Sequence, residues 1–221
     1  MTPEKRTSAA ENPSAHDYVN GHPAEAEVIA AARDRAREVG CPPVSGVGGA
    51  ALRFLATAAQ AKAVVEVGTG VGVSGLCLLS GMAADGVLTS IDIEPEYQRS
   101  AKRSFLDAGV APGRVRMIMG QALDVLPRLT DGGYDLVFFD AARGEYPRYH
   151  EQGVRLLRPG GVIAFESVLG MGRVADPTKR DQESLALREV TRAVREDDRL
   201  VPVLLPLGGG LLVGARKLTA D

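Results

Sequence analysis

The sequence contains no tryptophan, two cysteines and three histidines in 221 residues. Cys41 and Cys77 stand in no metal-ligand spacing, which excludes a zinc or iron–sulfur framework and a disulfide-held scaffold. Each reads as a small buried apolar residue. His16, His22 and His150 have neither a matching nucleophile nor a metal spacing, so solvated or hydrogen-bonded roles are expected for them. Long apolar runs are missing. Stretches such as Val201 to Leu207 fall far short of the ~20 residues that span a bilayer, and the first residues carry no export-signal core. A cytoplasmic protein without a membrane partner is the expectation. Excess charge of one sign is missing too: the formal net charge of -2 disfavours a nucleic-acid partner. The arginines between Arg188 and Arg199 alternate with acids, as on an exposed helix face.

What is present is an ordinary apolar share, 45%, enough for one core. Residues 1–20 read as a flexible tail, and residues 21–221 as a single domain with an amino-terminal helical extension. Helices are expected over Ala24–Val39, with Val28, Ala32 and Ala36 on its apolar face, and over Gly46–Gln60. From Ala63 the pattern alternates. Strands are expected at Ala63–Val67, Val87–Ile91, Val115–Met119, Asp135–Phe139 and Gly161–Phe165. The intervening helices are Val73–Met82, Glu94–Ala108, Ala122–Leu129 and Glu145–Leu157. Such alternation implies a doubly wound, mostly parallel α/β sheet. After a helix over Gln182–Glu196, the runs Leu200–Leu205 and Leu211–Ala215 flank Pro206 and three glycines, predicting an antiparallel hairpin at the end of a seven-stranded sheet.

The chemistry gathers at strand ends. Glu66-Val67-Gly68-Thr69-Gly70-Val71-Gly72 follows the first strand and opens a helix, where open α/β sheets bind ligands. Counted from Gly68, the third glycine of a dinucleotide fingerprint would fall on Val73, and no GK[ST] follows, so nicotinamide and Walker-type phosphate sites do not fit. The E-x-G-x-G-x-G spacing is that of S-adenosylmethionine sites. A carboxylate at the loop mouth, Glu66, suits a sulfonium and repels a pyrophosphate. Asp92 ends the second strand, where an acid can accept from both ribose hydroxyls, although it could equally cap the next helix. Gly120 to Asp124 offers backbone groups for an adenine.

Together, Val64 to Gly70, Ser90 to Glu94, Phe138-Phe139-Asp140-Ala141, Leu157 to Ile163, Val168 to Val174 and Leu205-Pro206-Leu207 resemble the O-methyltransferase family of catechol and caffeoyl-CoA methyltransferases, in its bacterial, actinobacterial branch. The resemblance runs from about Pro42 to Lys217. It implies a class I (Rossmann-like) methyltransferase fold, S-adenosyl-L-methionine as cofactor, a small hydroxylated (phenolic or catechol-like) acceptor and a homodimer. It places Val44, Glu66, Gly68, Thr69, Ser74, Asp92, Ile93 and Ala122 at cofactor positions, and Asp140 at an acid that meets substrate and a divalent cation such as magnesium.

Several positions depart from the family pattern. Where the family reads D-A-D-K, this chain has Asp140-Ala141-Ala142-Arg143. Where it reads D-N, there is Glu166-Ser167, and the late D-G is Gly209-Gly210. Asp140 and Glu166 remain as candidate metal ligands, but a hard cation wants more oxygens than two. Asp140, Arg143 and Glu166 are the candidate catalytic residues. Arg143 does not readily deprotonate, so it would pair with an anionic or phenolate oxygen rather than act as base. Two alternatives stay open: a non-catalytic S-adenosylmethionine-binding module and a nicotinamide oxidoreductase. Residues 142–147 and 169–179 would line the acceptor pocket.

Overall fold

The computed structural model describes residues 18–218. The expected tail therefore lies outside the described residues up to residue 17, whereas 18–21 form a helical turn. Two helices come first, α1 (Glu27–Glu38) and α2 (Gly46–Ala58). On α1 the buried stripe is Ile29, Ala32 and Ala36, one residue off the expected Val28 start. Ser45 caps α2 by accepting from the Gly48 N–H.

Then strands and helices alternate: β1 (Ala63–Val67), α3 (Val73–Gly81), β2 (Val87–Asp92), α4 (Pro95–Asp107), β3 (Val115–Met119), α5 (Ala122–Val125), β4 (Tyr134–Phe139), α6 (Tyr146–Leu156) and β5 (Leu157–Phe165). The expected helix over Ala122–Leu129 is cut short. Pro127 lacks an N–H, and residues 126–128 close as a 3₁₀ turn instead. β5 starts four residues earlier than expected. It pairs with β4 at Leu157, then bulges through Pro159 and Gly160 (φ +78°) before resuming at Val162. α7 (Gln182–Glu196) precedes the hairpin of β6 (Leu200–Leu205) and β7 (Leu211–Arg216).

The seven strands run in the order β3-β2-β1-β4-β5-β7-β6, with β7 antiparallel to both neighbours. Side chains alternate between the two sheet faces. Val64, Leu136, Phe138 and Ala164 pack with α1 to α4, whereas Val65, Val137, Phe139 and Phe165 pack with α6 and α7. On the second face Phe139 stacks on Tyr149 and Phe165, with ring centroids 5.1 and 4.9 Å apart. The strand order reverses between β1 and β4, so the loops after those strands separate and leave a crevice at their carboxyl ends. No helix among the described residues is long and apolar enough to cross a membrane.

Candidate active site

Gly68 leaves β1 at φ +97°, and a Cβ on it would meet the Asp140 carbonyl oxygen at 2.0 Å. Only glycine permits both that conformation and that approach. The Asp140 N–H donates to the Val67 carbonyl at 2.8 Å, and the Gly68 N–H to that of Ile91 at 2.9 Å. These bonds hold the ends of β1, β2 and β4 together before the loops diverge.

Two adjoining hollows of about 270 and 300 Å³ occupy the crevice, and they share Gly68, Asp92, Ile93, Ala141 and Ala142. The first is lined by Val44, Thr69, Ser74, Cys41, Tyr97 and Asp140, the second by Gly120, Gln121, Ala122, Glu145 and Tyr149. Of the sequence-predicted cofactor residues, Val44, Gly68, Thr69, Ser74, Asp92, Ile93 and Ala122 thus meet at one crevice. Asp92 stands between its halves. Its Oδ2 accepts from the Gly70 N–H and its Oδ1 from the Glu94 N–H, each at 2.9 Å, so it fixes the glycine loop as well as facing the crevice. Both oxygens retain a second lone pair for a ligand.

Glu66 does not stand at the loop mouth. It is fully buried beneath the loop, accepting from Ser74 Oγ at 2.5 Å and Ser90 Oγ at 2.6 Å, while Ser90 Oγ lies 2.7 Å from Thr69 Oγ1. Burial raises its carboxyl to about 7 against the opposing pull of the two serine hydroxyls. Glu66 therefore acts on the crevice through Ser74 and Thr69. Cys41 also departs from expectation: it is half-buried and lines the first hollow, whereas Cys77 is buried as expected.

Beyond Asp140 lies the second group of predicted residues. Glu166, 4% exposed, directly follows β5. Its Oε2 has no partner, and the nearby backbone N–H groups of Ser167 and Gly209 pull its carboxyl down only in part. Burial first, and then the neighbouring Asp140 charge, raise it to about 8. Burial raises the half-buried Asp140 to about 6, and Arg143 pulls it back down. Arg143, one-third exposed, keeps a 3.3 Å contact with Glu183 on α7, and Arg173 reaches the same oxygen at 2.7 Å. Tyr146 lies in the segment expected to line the acceptor pocket, but the sequence assigned it no role. Its buried hydroxyl donates to the Glu166 carbonyl at 3.0 Å and lies 3.3 Å from that of Phe139, tying the ends of β4 and β5.

The donor set does not fit a hard divalent cation. Among the described residues no three His, Cys, Asp or Glu side chains come together. Ala142 offers no oxygen where the family has an acid, and Ser167 sits at φ +58° in place of an amide.

This arrangement, a mostly parallel sheet closed by a hairpin with a glycine loop, a strand-end acid and an acid pair around its switch point, defines a class I methyltransferase fold. The family model described as O-methyltransferase matches residues 32–218, and the chain belongs to that family. A Mycolicibacterium vanbaalenii protein assigned to the O-methyltransferases is 57% identical over 87% of this chain and 85% of its own. A Corynebacterium glutamicum crystal structure superposes with a TM-score of 0.87 at 32% identity, covering 93% of this chain and 97% of that one. The Streptomyces achromogenes O-methyltransferase TomG, solved in complex with SAM, gives 0.83 at 29% identity, covering 92% and 96%. The chain is thus an O-methyltransferase, and the nicotinamide alternative is set aside.

Proposed function

We propose that this enzyme moves the methyl group of S-adenosyl-L-methionine to a hydroxyl of a small phenolic or catechol-like acceptor, using a carboxyl pair and no metal. The observation that carries the reading is the two-part crevice centred on Asp92 and reaching Asp140, whose charge acts on Glu166 and is itself acted on by Arg143. In this reading Val44, Gly68, Thr69 and Ser74 hold the amino-acid end of the cofactor. Asp92 accepts from the ribose hydroxyls, and Ile93 and Ala122 border the adenine. The SAM complex of TomG supports the cofactor assignment.

Methyl transfer needs positioning more than covalent help, since the sulfonium already carries a good leaving group. The acceptor oxygen attacks in line. The new O–C bond forms as the S–C bond breaks, the sulfur leaves as a neutral thioether, and the hydroxyl proton passes to a carboxylate. Burial raises both carboxyls, and the charge of Asp140 raises Glu166 further, so Asp140 is assigned as the member that takes the proton. The Arg143 guanidinium stabilises the forming phenolate. Assays on a catechol panel should show full turnover with a chelator present, no gain from added magnesium, and a rate that rises with pH through about 6. Activity abolished by chelation and restored by magnesium would refute the metal-free reading.

We also infer a cytoplasmic homodimer. Tyr18, Val19 and Phe54 are exposed apolar residues that share a groove with Leu207, beside a hollow of about 770 Å³ that shares no lining residue with the crevice. A second copy would cover them, and light scattering on the purified protein reads the mass directly.

A further inference from the structure

The half of the crevice beyond Asp92 is a mostly apolar slot, bordered by Val67, Ile91, Ile93 and Ala122. Such walls suit a flat ring. Two carboxylates line it, Asp92 and Glu145. Asp92 is engaged with the glycine loop and faces both halves. Glu145 belongs to this half alone.

The Glu145 carboxylate is pinned. Its Oε2 accepts the Tyr149 hydroxyl at 2.6 Å, and among the described residues no other side chain donates to it. Tyr149 is 2% exposed and stacked on Phe139, so the anchor belongs to the core. Burial and the carboxylate itself raise the phenol well above its usual range, so it stays a donor. The second oxygen, Oε1, is left free to accept. An ionised carboxylate has acceptors only, so it discriminates sharply between ring edges. An exocyclic amine can donate to it, whereas a carbonyl oxygen at the same place is repelled.

We propose that Glu145 is a specificity-determining residue for the purine ring of the cofactor, its Oε1 accepting from the exocyclic amine of adenine while Tyr149 serves as positioning residue. The inference rests on the reading that the crevice holds the cofactor. A carboxylate that merely steadied the first turn of α6 would alter affinity for any purine alike. A carboxylate that reads the ring edge alters the ratio between purines.

The test is calorimetric titration of the full chain with S-adenosylhomocysteine and with its hypoxanthine counterpart, S-inosylhomocysteine. The wild type should prefer the adenine compound by roughly 10-fold or more, the scale of one hydrogen bond to a charged group. In Glu145→Gln the amide can donate to the hypoxanthine carbonyl, so the ratio should fall toward unity or invert. Tyr149→Phe, which frees the carboxylate without removing it, should give an intermediate ratio. Thermal melts of each variant confirm folding. An unchanged ratio in Glu145→Gln, an equal loss for both ligands, or a wild type without preference overturns the proposal. A wild type that binds neither compound overturns the cofactor reading beneath it.

Discussion

Glu66 shows how a single residue can serve a site it does not touch. A buried carboxyl flanked by Ser74 and Ser90 is cheapest when neutral, and its pKa rises from 4.5 to about 7. A raised acid stabilises the fold fully below its unfolded value, and that contribution is lost as pH climbs through the folded value. Stability should therefore decline between about pH 4.5 and 7, by an amount of order 3 kcal/mol from this group alone. Asp140 and Glu166 add slope in the same direction. Urea denaturation across that range should find Glu66→Gln clearly flatter than wild type. Equal slopes would mean the buried carboxyl is not the titrating group. The sequence marked Glu66 as part of the motif but could not show its depth, because the two serines that enclose it come from α3 and β2. Cys41 and Tyr97 were missed for the same reason: they meet at the crevice from distant parts of the chain and no local spacing signals them. Glu145 and Tyr146 fell within the segment expected to line the acceptor pocket, but nothing in the sequence assigned either a role.

At the scale of elements, the switch point is built by backbone packing at the ends of β1 and β4. Gly68→Ala would set a methyl against the Asp140 carbonyl and force a left-handed φ on a residue with a side chain. Overpacking and strain together should cost about 3 kcal/mol or more, read by denaturant unfolding, and cofactor binding should go with it. A stable variant that binds as wild type would show that the strand ends can separate freely. β1 was legible to the residue, since an apolar run stopped by glycine permits few other readings. The regions that misled were those where proline or glycine altered a regular element. Pro127 turned a helical end into a 3₁₀ turn, and Pro159-Gly160 carried β5 through a bulge that no periodicity reveals. On α1, Val28 and Ile29 are both apolar, and only the position of the neighbouring helices α3 and α4 decides which is buried.

For the whole molecule, fold and cofactor class rest on the order of motifs along the chain, and the sheet brings those motifs to one edge. The acceptor is less legible, because the segments after β4 and β5 carry the departures from the family pattern. There Arg143 replaces a lysine, Glu166-Ser167 an acid–amide pair, and Ala142 an acid. Where the resemblance would imply a cation site, this chain has two raised carboxyls beside a guanidinium, and the proposed proton transfer to Asp140 rests on that.

The most direct test of the account is titration of the purified enzyme with S-adenosylhomocysteine, wild type against Asp92→Ala. The account predicts one site per chain in the wild type and an affinity at least about tenfold weaker in the variant, from loss of a charged acceptor for the ribose. Binding of equal strength in the two proteins, or no binding to either, would contradict it.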